Sequence, residues 1–307
     1  MNVVVFWALF QKLLPLYFYV FLGFIAGRFL GVGRESLAKL LLYLVVPLVF
    51  FLSILDAELT PARLGMPFVF LLAASIISIG FYNTLGRRWK SPDRNILSFM
   101  VGSGNTGYFG LPAIIALWGI ERVSNAILVV FGYVIFEFTI GFYLTARGHH
   151  GVKDSIKRVL KLPALYAFFL GCGLNLWGVE RGEFLTSINQ TLTSVYSVLG
   201  LMVLGLGVSR ARFNHFDWSF ILTTVLVKFL VWPTLMATMI FFDRNYFHLY
   251  AHEDYQVLML MSLVPLAANG VVIATELKAH PEKAAICILA TTMIALFLIP
   301  ALAPILF

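Results

Sequence analysis

Long apolar segments, separated by short polar stretches, run through almost the whole chain of 307 residues. One membrane-spanning helix needs about 20 consecutive apolar residues. The pattern predicts ten such spans, at residues 5–29, 36–55, 62–85, 95–118, 123–146, 159–178, 187–208, 218–242, 255–277 and 284–305. The chain is therefore predicted to be an all-α polytopic membrane protein with about 10 transmembrane (TM) helices.

Two of these spans, TM4 and TM9, are interrupted by glycines, polar residues and a proline. TM4 contains the run Gly102-Ser-Gly-Asn-Thr-Gly-Tyr-Phe-Gly-Leu-Pro112, and TM9 contains Pro265-Leu-Ala-Ala-Asn-Gly270. Glycine and an internal proline both weaken a helix. Because lipid cannot bond the freed backbone groups, they must face protein or a water-filled cavity. Paired breaks of this kind are typical of the substrate sites of secondary transporters.

The two breaks occupy equivalent places in two halves of five spans each. Leu14-Pro15, followed by Gly23, recurs as Leu162-Pro163, followed by Gly171, 148 residues later. Each broken span is the fourth of its half, and because five is odd, the halves have opposite orientation, as in an inverted-topology repeat. The predicted organisation is residues 1–146 for the first repeat, 147–161 for a cytoplasmic linker and 162–307 for the second repeat.

The charge distribution predicts the orientation of the chain in the cell membrane. Only 12% of the residues are charged, against about 25% in soluble domains. One set of alternating loops contains sixteen of the 22 Lys and Arg residues and the other set contains five. The positive-inside rule places the richer set in the cytoplasm and both termini outside. The net charge of +7 therefore reflects insertion, and no nucleic-acid partner is predicted.

Asn105 and Asn269 are the first candidates for binding a substrate. An amide side chain can donate to a carboxylate or offer its oxygen to a cation, and the N-termini of half-helices at the breaks favour anions. The alternative is that each asparagine only bonds its own broken backbone. Their neighbours Gly104, Thr106 and Gly270 belong to the same predicted substrate-binding stretches.

Pro112 and Pro265 are interpreted as holding this crossover open. The alternative is an ordinary kinked helix packed against its neighbours.

Glu137 and Lys228 are the only carboxylate and the only base predicted to lie well inside a span. Ionisable groups are costly in a membrane and are functional candidates by default. Glu137 could carry a coupling proton or bind a cation, and Lys228 could attract an anionic substrate. The alternatives are a structural ion pair between the two or a Lys228 side chain that extends to the interface.

No catalytic pair is predicted at membrane depth, so the chain is not expected to be an enzyme, and no cofactor is expected apart from a coupling H+ or Na+. His149 and His150 in the linker, and His248 and His252 in an outer loop, could bind a metal if suitably arranged. Solvated loops are favoured in both cases, and no metal site is predicted. Cys172 and Cys287 lie in apolar segments and are predicted to be small buried hydrophobes.

The residues around the breaks resemble the auxin efflux carrier family. Asn105-Thr-Gly-Tyr-Phe-Gly-Leu-Pro112 is similar to the TM4 crossover of that family, and Leu40–Phe50 is similar to its second span. Its ninth and tenth spans resemble Asn269–Pro281 together with Ala290-Thr291-Thr292 and Pro300. The family includes plant PIN auxin exporters and bacterial permeases for malate, malonate and related acids.

The resemblance implies a fold like those of sodium/proton antiporters and bile-acid symporters, with TM4 and TM9 crossed. TM1, 2, 6 and 7 would form a scaffold and a homodimer surface, and TM3–5 and 8–10 a moving transport domain. Asn105 and Asn269 match positions that contact the substrate carboxylate in the plant carriers. In those carriers a proline of TM9 follows the polar crossover residue, where this chain has Ile273, and many have a long cytoplasmic loop that this chain lacks. A small carboxylate is therefore favoured over auxin.

The predicted function is secondary transport of a small organic anion by alternating access, the anion being a mono- or dicarboxylate such as malate or malonate. The alternative is a cation-coupled symporter or cation/proton antiporter that uses Glu137 as its ion or proton site.

Overall fold

A computed structural model describes residues 3–145, 157, 160–209, 217–276 and 279–306, and all regular secondary structure within these ranges is helical. Most of the predicted linker 147–161, including His149 and His150, lies outside the described residues. The helices are α1 (Val3–Phe29), α2 (Arg34–Leu55), α3 (Pro61–Asn83), α4 (Asp93–Gly102), α5 (a π-helical turn at Thr106–Gly110 followed by Leu111–Trp118), α6 (Ile120–Thr145), α7 (Pro163–Leu176), α8 (Glu183–Ser209), α9 (Trp218–Phe247), α10 (His252–Leu263), α11 (Asn269–Glu276) and α12 (Pro281–Leu306).

Seven of the described helices are long and apolar enough to cross a membrane: α1, α2, α3, α6, α8, α9 and α12. The chain is therefore a multi-pass membrane protein. The predicted sixth span corresponds to α7, an apolar helix of only 14 residues. The predicted fourth and ninth spans are each two short helices joined by non-helical backbone, α4 with α5 and α10 with α11. Both breaks predicted from the sequence are thus present.

The two halves of the chain are interleaved in the packing. Helices α1 and α8 pack closely, and so do α2 and α7, while α3 packs on α6 and α9 packs on α10 and α12. The contact of α1 with α8 depends on small residues, because a Cβ added at Gly205 would lie only 1.9 Å from the Val20 carbonyl oxygen. Small residues let helix backbones approach in this way inside membranes.

An ion-pair cluster joins the starts of three helices at one end of the molecule. The Lys283 ammonium lies 2.6 Å from the Asp93 carboxylate and 3.0 Å from that of Asp217. Asp217 also caps α9 by accepting a hydrogen bond from the Phe220 N–H at 3.0 Å. Partial burial alone would raise the pKa of Asp217, but these hydrogen bonds outweigh it and hold the pKa below its usual value.

A second polar cluster lies at the opposite end of the bundle. Asp254 is buried at the start of α10 and accepts hydrogen bonds from Arg63 Nε at 3.1 and 3.2 Å and from Asn125 Nδ2 at 2.8 Å. Its carboxylate also accepts from the Ala251 N–H at 3.1 Å, and Arg63 pairs in addition with Glu58. The cluster is therefore fully bonded.

Both cysteines are buried and unbonded to each other, which confirms their predicted role as small buried residues.

Candidate functional site

The two breaks cross and bond to each other. The Asn105 N–H donates to the Pro265 carbonyl oxygen at 2.7 Å, and the Ala267 N–H donates to Ser103 Oγ at 3.4 Å. Contact continues beyond the breaks, since a Cβ at Gly110 would lie 2.6 Å from the Met261 sulfur. Each break therefore supplies bonding partners for backbone groups that the other has freed, which is how irregular backbone is tolerated at membrane depth.

The backbone around Asn105 explains how the first break is formed. Ser103 is extended and Asn105 is non-helical, with φ −77° and ψ 58°. The Asn105 carbonyl then accepts from the N–H groups of Phe109 and Gly110, at 3.2 and 2.9 Å, which starts the π-helical turn of α5. The N-terminus of the half-helix α5 therefore lies directly after Asn105. The other half-helix, α11, begins at Asn269 itself.

The two predicted crossover prolines have different positions. Pro265 lies within the second break, where its carbonyl accepts the bond from Asn105. Pro112 lies in the α-helical part of α5, beyond the π-helical turn and outside the first break. A proline is tolerated near the beginning of a helix because its missing N–H costs little there. The structure therefore places only Pro265 in the crossover itself.

A cavity of about 60 Å³ lies beside the crossing, which is space for a few water molecules. On one side it is lined by α2 and α8 and on the other by the two breaks and α6. The residues that line it include Gly104, Asn105, Thr106, Tyr108, Tyr133, Glu137, Tyr196, Ala268 and Asn269. Of the predicted substrate-binding residues, only Gly270 is absent from this lining, and a Cβ there would instead face Phe99, Met100 and Ile288.

Two fully buried polar groups in the cavity wall have no hydrogen-bond partner. They are Asn105 Nδ2 and the Tyr133 hydroxyl, on residues that are 4% and 1% exposed. Nearly all buried polar groups in proteins are bonded, so each exception needs an explanation. Since both groups can donate a hydrogen bond, a ligand with acceptor oxygens would complete their bonding.

Glu137 bonds to Asn269 and not to Lys228. Asn269 Nδ2 donates to Glu137 Oε2 at 3.0 Å, and the Glu137 carboxylate is buried in the cavity wall. No carboxylate of the described residues lies within ion-pair distance of Lys228. The predicted alternative of a Glu137–Lys228 ion pair is therefore wrong. The sequence could not exclude it, because 91 residues separate the two side chains.

Lys228 instead lies against the first break. It is fully buried, and its ammonium donates to the Ser103 carbonyl oxygen at 3.3 Å and lies 4.9 Å from the centre of the Trp232 ring. Trp232 Nε1 donates to the Val101 carbonyl at 2.8 Å. Helix α9 thus binds the last carbonyls of α4, the end of a helix that favours positive charge. Gly104 permits this approach, since a Cβ there would lie 3.1 Å from the ammonium.

Arg34 is a cation near the crossing that the sequence did not single out. It begins α2, and its Nη2 donates to the Ala268 carbonyl oxygen at 3.0 Å. In sequence Arg34 follows Gly31-Val32-Gly33 and is one of the sixteen loop cations that predict the topology. The one available signal was its place at a helix N-terminus, where a cation opposes the helix dipole. Tyr133 and Tyr196 were likewise missed, because they occur within apolar segments.

The histidines of the predicted outer loop do not assemble a metal site. His248 has a left-handed conformation after α9, and the His252 ring lies 3.4 Å from the Gln256 amide. In the part of the chain that the structure describes, no three His, Cys, Asp or Glu side chains are grouped closely enough to hold a metal ion.

Comparison with known proteins identifies relatives along nearly the whole chain. The sequence profile of a family described as membrane transport protein matches residues 8–303. An uncharacterized transporter of Methanocaldococcus jannaschii is 27% identical over 296 residues, which cover 91% of this chain and 93% of that protein. An uncharacterized transporter of Methanothermobacter thermautotrophicus is 25% identical over 288 residues, covering 92% and 93% respectively.

Proposed function

This chain belongs to the membrane transport protein family, the family of the auxin efflux carriers, and we propose that it carries a small organic anion across the cell membrane by alternating access. The substrate is a mono- or dicarboxylate such as malate or malonate. The protein is a transporter and acts without catalytic chemistry.

The observation that supports an anionic substrate is the excess of donors and positive charge at the crossing. Asn105 Nδ2 and the Tyr133 hydroxyl are unpartnered donors in one cavity wall. Lys228 and Arg34 bring two basic side chains to the crossing without ion-pair partners among the described residues, whereas Glu137 is the one acidic side chain in the described cavity lining. The N-termini of α5 and α11 add partial positive charge. A carboxylate would supply both the missing acceptors and the missing negative charge.

The proposed mechanism moves one group of helices against the other. Ten spans in two inverted five-helix repeats would place both termini outside the cell, and α7 with the two broken pairs would complete the spans beyond the seven continuous ones. In this proposal α1, α2, α7 and α8 form the scaffold and carry the homodimer surface, and the remaining helices form the transport domain. The position of the cavity between α2 and α8 on one side and the breaks on the other supports this division.

A second candidate function is cation-coupled symport or cation/proton antiport with Glu137 as the ion or proton site. The observation that favours it is the burial of the Glu137 carboxylate in the wall of the same cavity, where Asn269 is its hydrogen-bond donor. Buried membrane carboxylates of this kind serve as proton or ion sites in pumps and transporters.

Uptake into proteoliposomes tests both candidates. Labelled malonate, malate and indole-3-acetate are supplied with and without sodium and proton gradients, to wild type and to Asn105→Ala. Saturable uptake of an acid that falls about tenfold in the variant supports the anion carrier, and its gradient dependence identifies the coupling. If folded and correctly inserted protein takes up none of the acids but exchanges cations in a manner that Glu137→Gln abolishes, the second candidate replaces the first.

A further inference from the structure

The side chain of Arg34 is only partly bonded although it is held at the crossing. Its Nη2 donates to the Ala268 carbonyl, while its Nε is buried and has no hydrogen-bond partner. The acid that follows it in the sequence, Glu35, pairs with Lys39 at 2.8 Å on the exposed face of α2. Arg34 has no ion-pair partner among the described residues. A buried guanidinium edge without an acid is costly, which indicates that an external acceptor completes it.

The helix that carries Arg34 does not explain why its side chain lies at the crossing. Arg34 is the first residue of α2, where a cation opposes the helix dipole. Its side chain is partly buried, and its Nε lies 3.6 Å from where a Cβ of Gly207 in α8 would lie. The guanidinium therefore lies between α8 and the second break, next to Ala268, which lines the cavity.

The free edge suits a carboxylate. In arginine, Nε–H and Nη2–H point the same way and form a fork that matches the two oxygens of a carboxylate. Here Nη2 is shared with a carbonyl oxygen and Nε is unused. A carboxylate in place of the carbonyl would bond both nitrogens and pair the charge.

Arg34 is also close to the N-terminus of α11, one of the two half-helix N-termini at the crossing. The Ala268 carbonyl oxygen lies about 2 Å from the next backbone nitrogen by peptide geometry, so Arg34 Nη2 is within about 5 Å of the Asn269 nitrogen at the start of α11. That separation suits the two carboxylates of a three- or four-carbon diacid.

We propose that the Nε–Nη2 edge of Arg34 is a second carboxylate-binding point, so that the carrier takes a short dicarboxylate with one carboxylate at the crossing and the other on Arg34. This inference rests on the proposed function, since it names the substrate class of the same site. On binding, the diacid replaces the Ala268 carbonyl as the partner of Nη2.

The test compares each diacid with its monoamide, which has nearly the same size but one carboxylate. Uptake of labelled malonate and succinate into proteoliposomes is measured with unlabelled malonamate and succinamate as competitors. In wild type we expect the diacid to bind about 10- to 100-fold more tightly than its monoamide, the discrimination that a charge-assisted fork provides. In Arg34→Gln and Arg34→Lys this preference falls to within about threefold, while monoamide affinity is unchanged.

The control is Lys39→Gln, which removes an exposed cation from the same helix and leaves the preference intact. Thermal midpoints of each variant show whether it folds, and Arg34→Lys keeps the charge if Arg34→Gln does not fold. A wild type that carries monoacids and diacids equally well, or Arg34 variants that weaken both competitors equally, would overturn the second binding point while leaving the anion carrier standing. If folded wild type takes up no acid, the proposed function fails, and this inference fails with it.

Discussion

Two buried polar regions of this molecule differ in how completely they are bonded. At one end of the bundle, the Asp254 carboxylate accepts hydrogen bonds from Arg63, Asn125 and the Ala251 N–H. At the crossing, Asn105 Nδ2 and the Tyr133 hydroxyl have no partner, and Lys228 has a carbonyl but no acid. A closed network holds helices together, whereas an open one has capacity left for a ligand. Incomplete bonding, more than burial of polar groups as such, thus distinguishes the crossing from the Asp254 cluster.

The largest effect is expected from opening the closed region. Asp254→Asn leaves Arg63 buried without its main acid partner, and we expect a loss of about 3–5 kcal/mol of stability. The thermal midpoint in detergent should fall, while uptake per folded molecule stays near the wild-type value. Glu58→Gln, at the exposed end of the same cluster, should change stability by less than about 1 kcal/mol. An unchanged midpoint for Asp254→Asn would show that the closed network is not structural.

The next largest effect is expected from Lys228→Met, which should reduce uptake and leave stability intact. Removing a buried charge without an acid partner should leave the thermal midpoint unchanged or raise it, because a methionine fills a similar space. Uptake should fall about 100-fold, since the crossing loses a buried basic group. The matched control on the same helix is Thr238→Val, whose exposed hydroxyl bonds only the Thr234 carbonyl. A large loss of stability without a loss of uptake would assign Lys228 to the structural class.

A pair of asparagines sharpens the comparison. Asn105 has an unpartnered amide nitrogen, whereas buried Asn189 exchanges hydrogen bonds with Ser53 at 3.2 Å. Asn105→Ala should reduce uptake about tenfold with little change in stability, and Asn189→Ala should lower stability by about 1–3 kcal/mol with uptake per folded molecule retained. Equal losses of stability in the two variants would remove the distinction between open and closed regions.

The smallest effect is expected from Glu137→Gln. Glutamine can still accept the hydrogen bond from Asn269, but the site loses its one negative charge. For an anion carrier we expect uptake to persist and affinity for the acid to rise about three- to fivefold, because a repulsive charge has been removed. Complete loss of gradient-driven flux would contradict this and favour the cation-coupled alternative. Initial rates at varied acid concentration, with and without each gradient, separate the two outcomes.

The sequence predicted more of the fold than of the site. A membrane span is a local property of about 20 residues that satisfy their own backbone bonds, so the ten predicted segments correspond to seven continuous helices, one short apolar helix and two broken pairs. The breaks were visible because Asn105 stands among glycines and Asn269 stands between Pro265 and Gly270, each in apolar sequence. Pro112 was predicted to lie in the crossover because proline often breaks a helix. In the structure the helix has already resumed with the π-helical turn before it, so Pro112 lies inside α5.

By itself, the sequence determined that this chain enters the membrane many times, where its helices break and which asparagines stand at the breaks, because these depend on residues close together in the chain. Only the tertiary structure decided that the two breaks bond through Asn105 and Pro265, that Glu137 pairs with Asn269 and Lys228 with a carbonyl, and that Arg34 lies at Ala268. These contacts join residues that are between 125 and 234 positions apart in the chain. Such choices depend on which helix faces meet, and the pattern along one helix does not specify its partner.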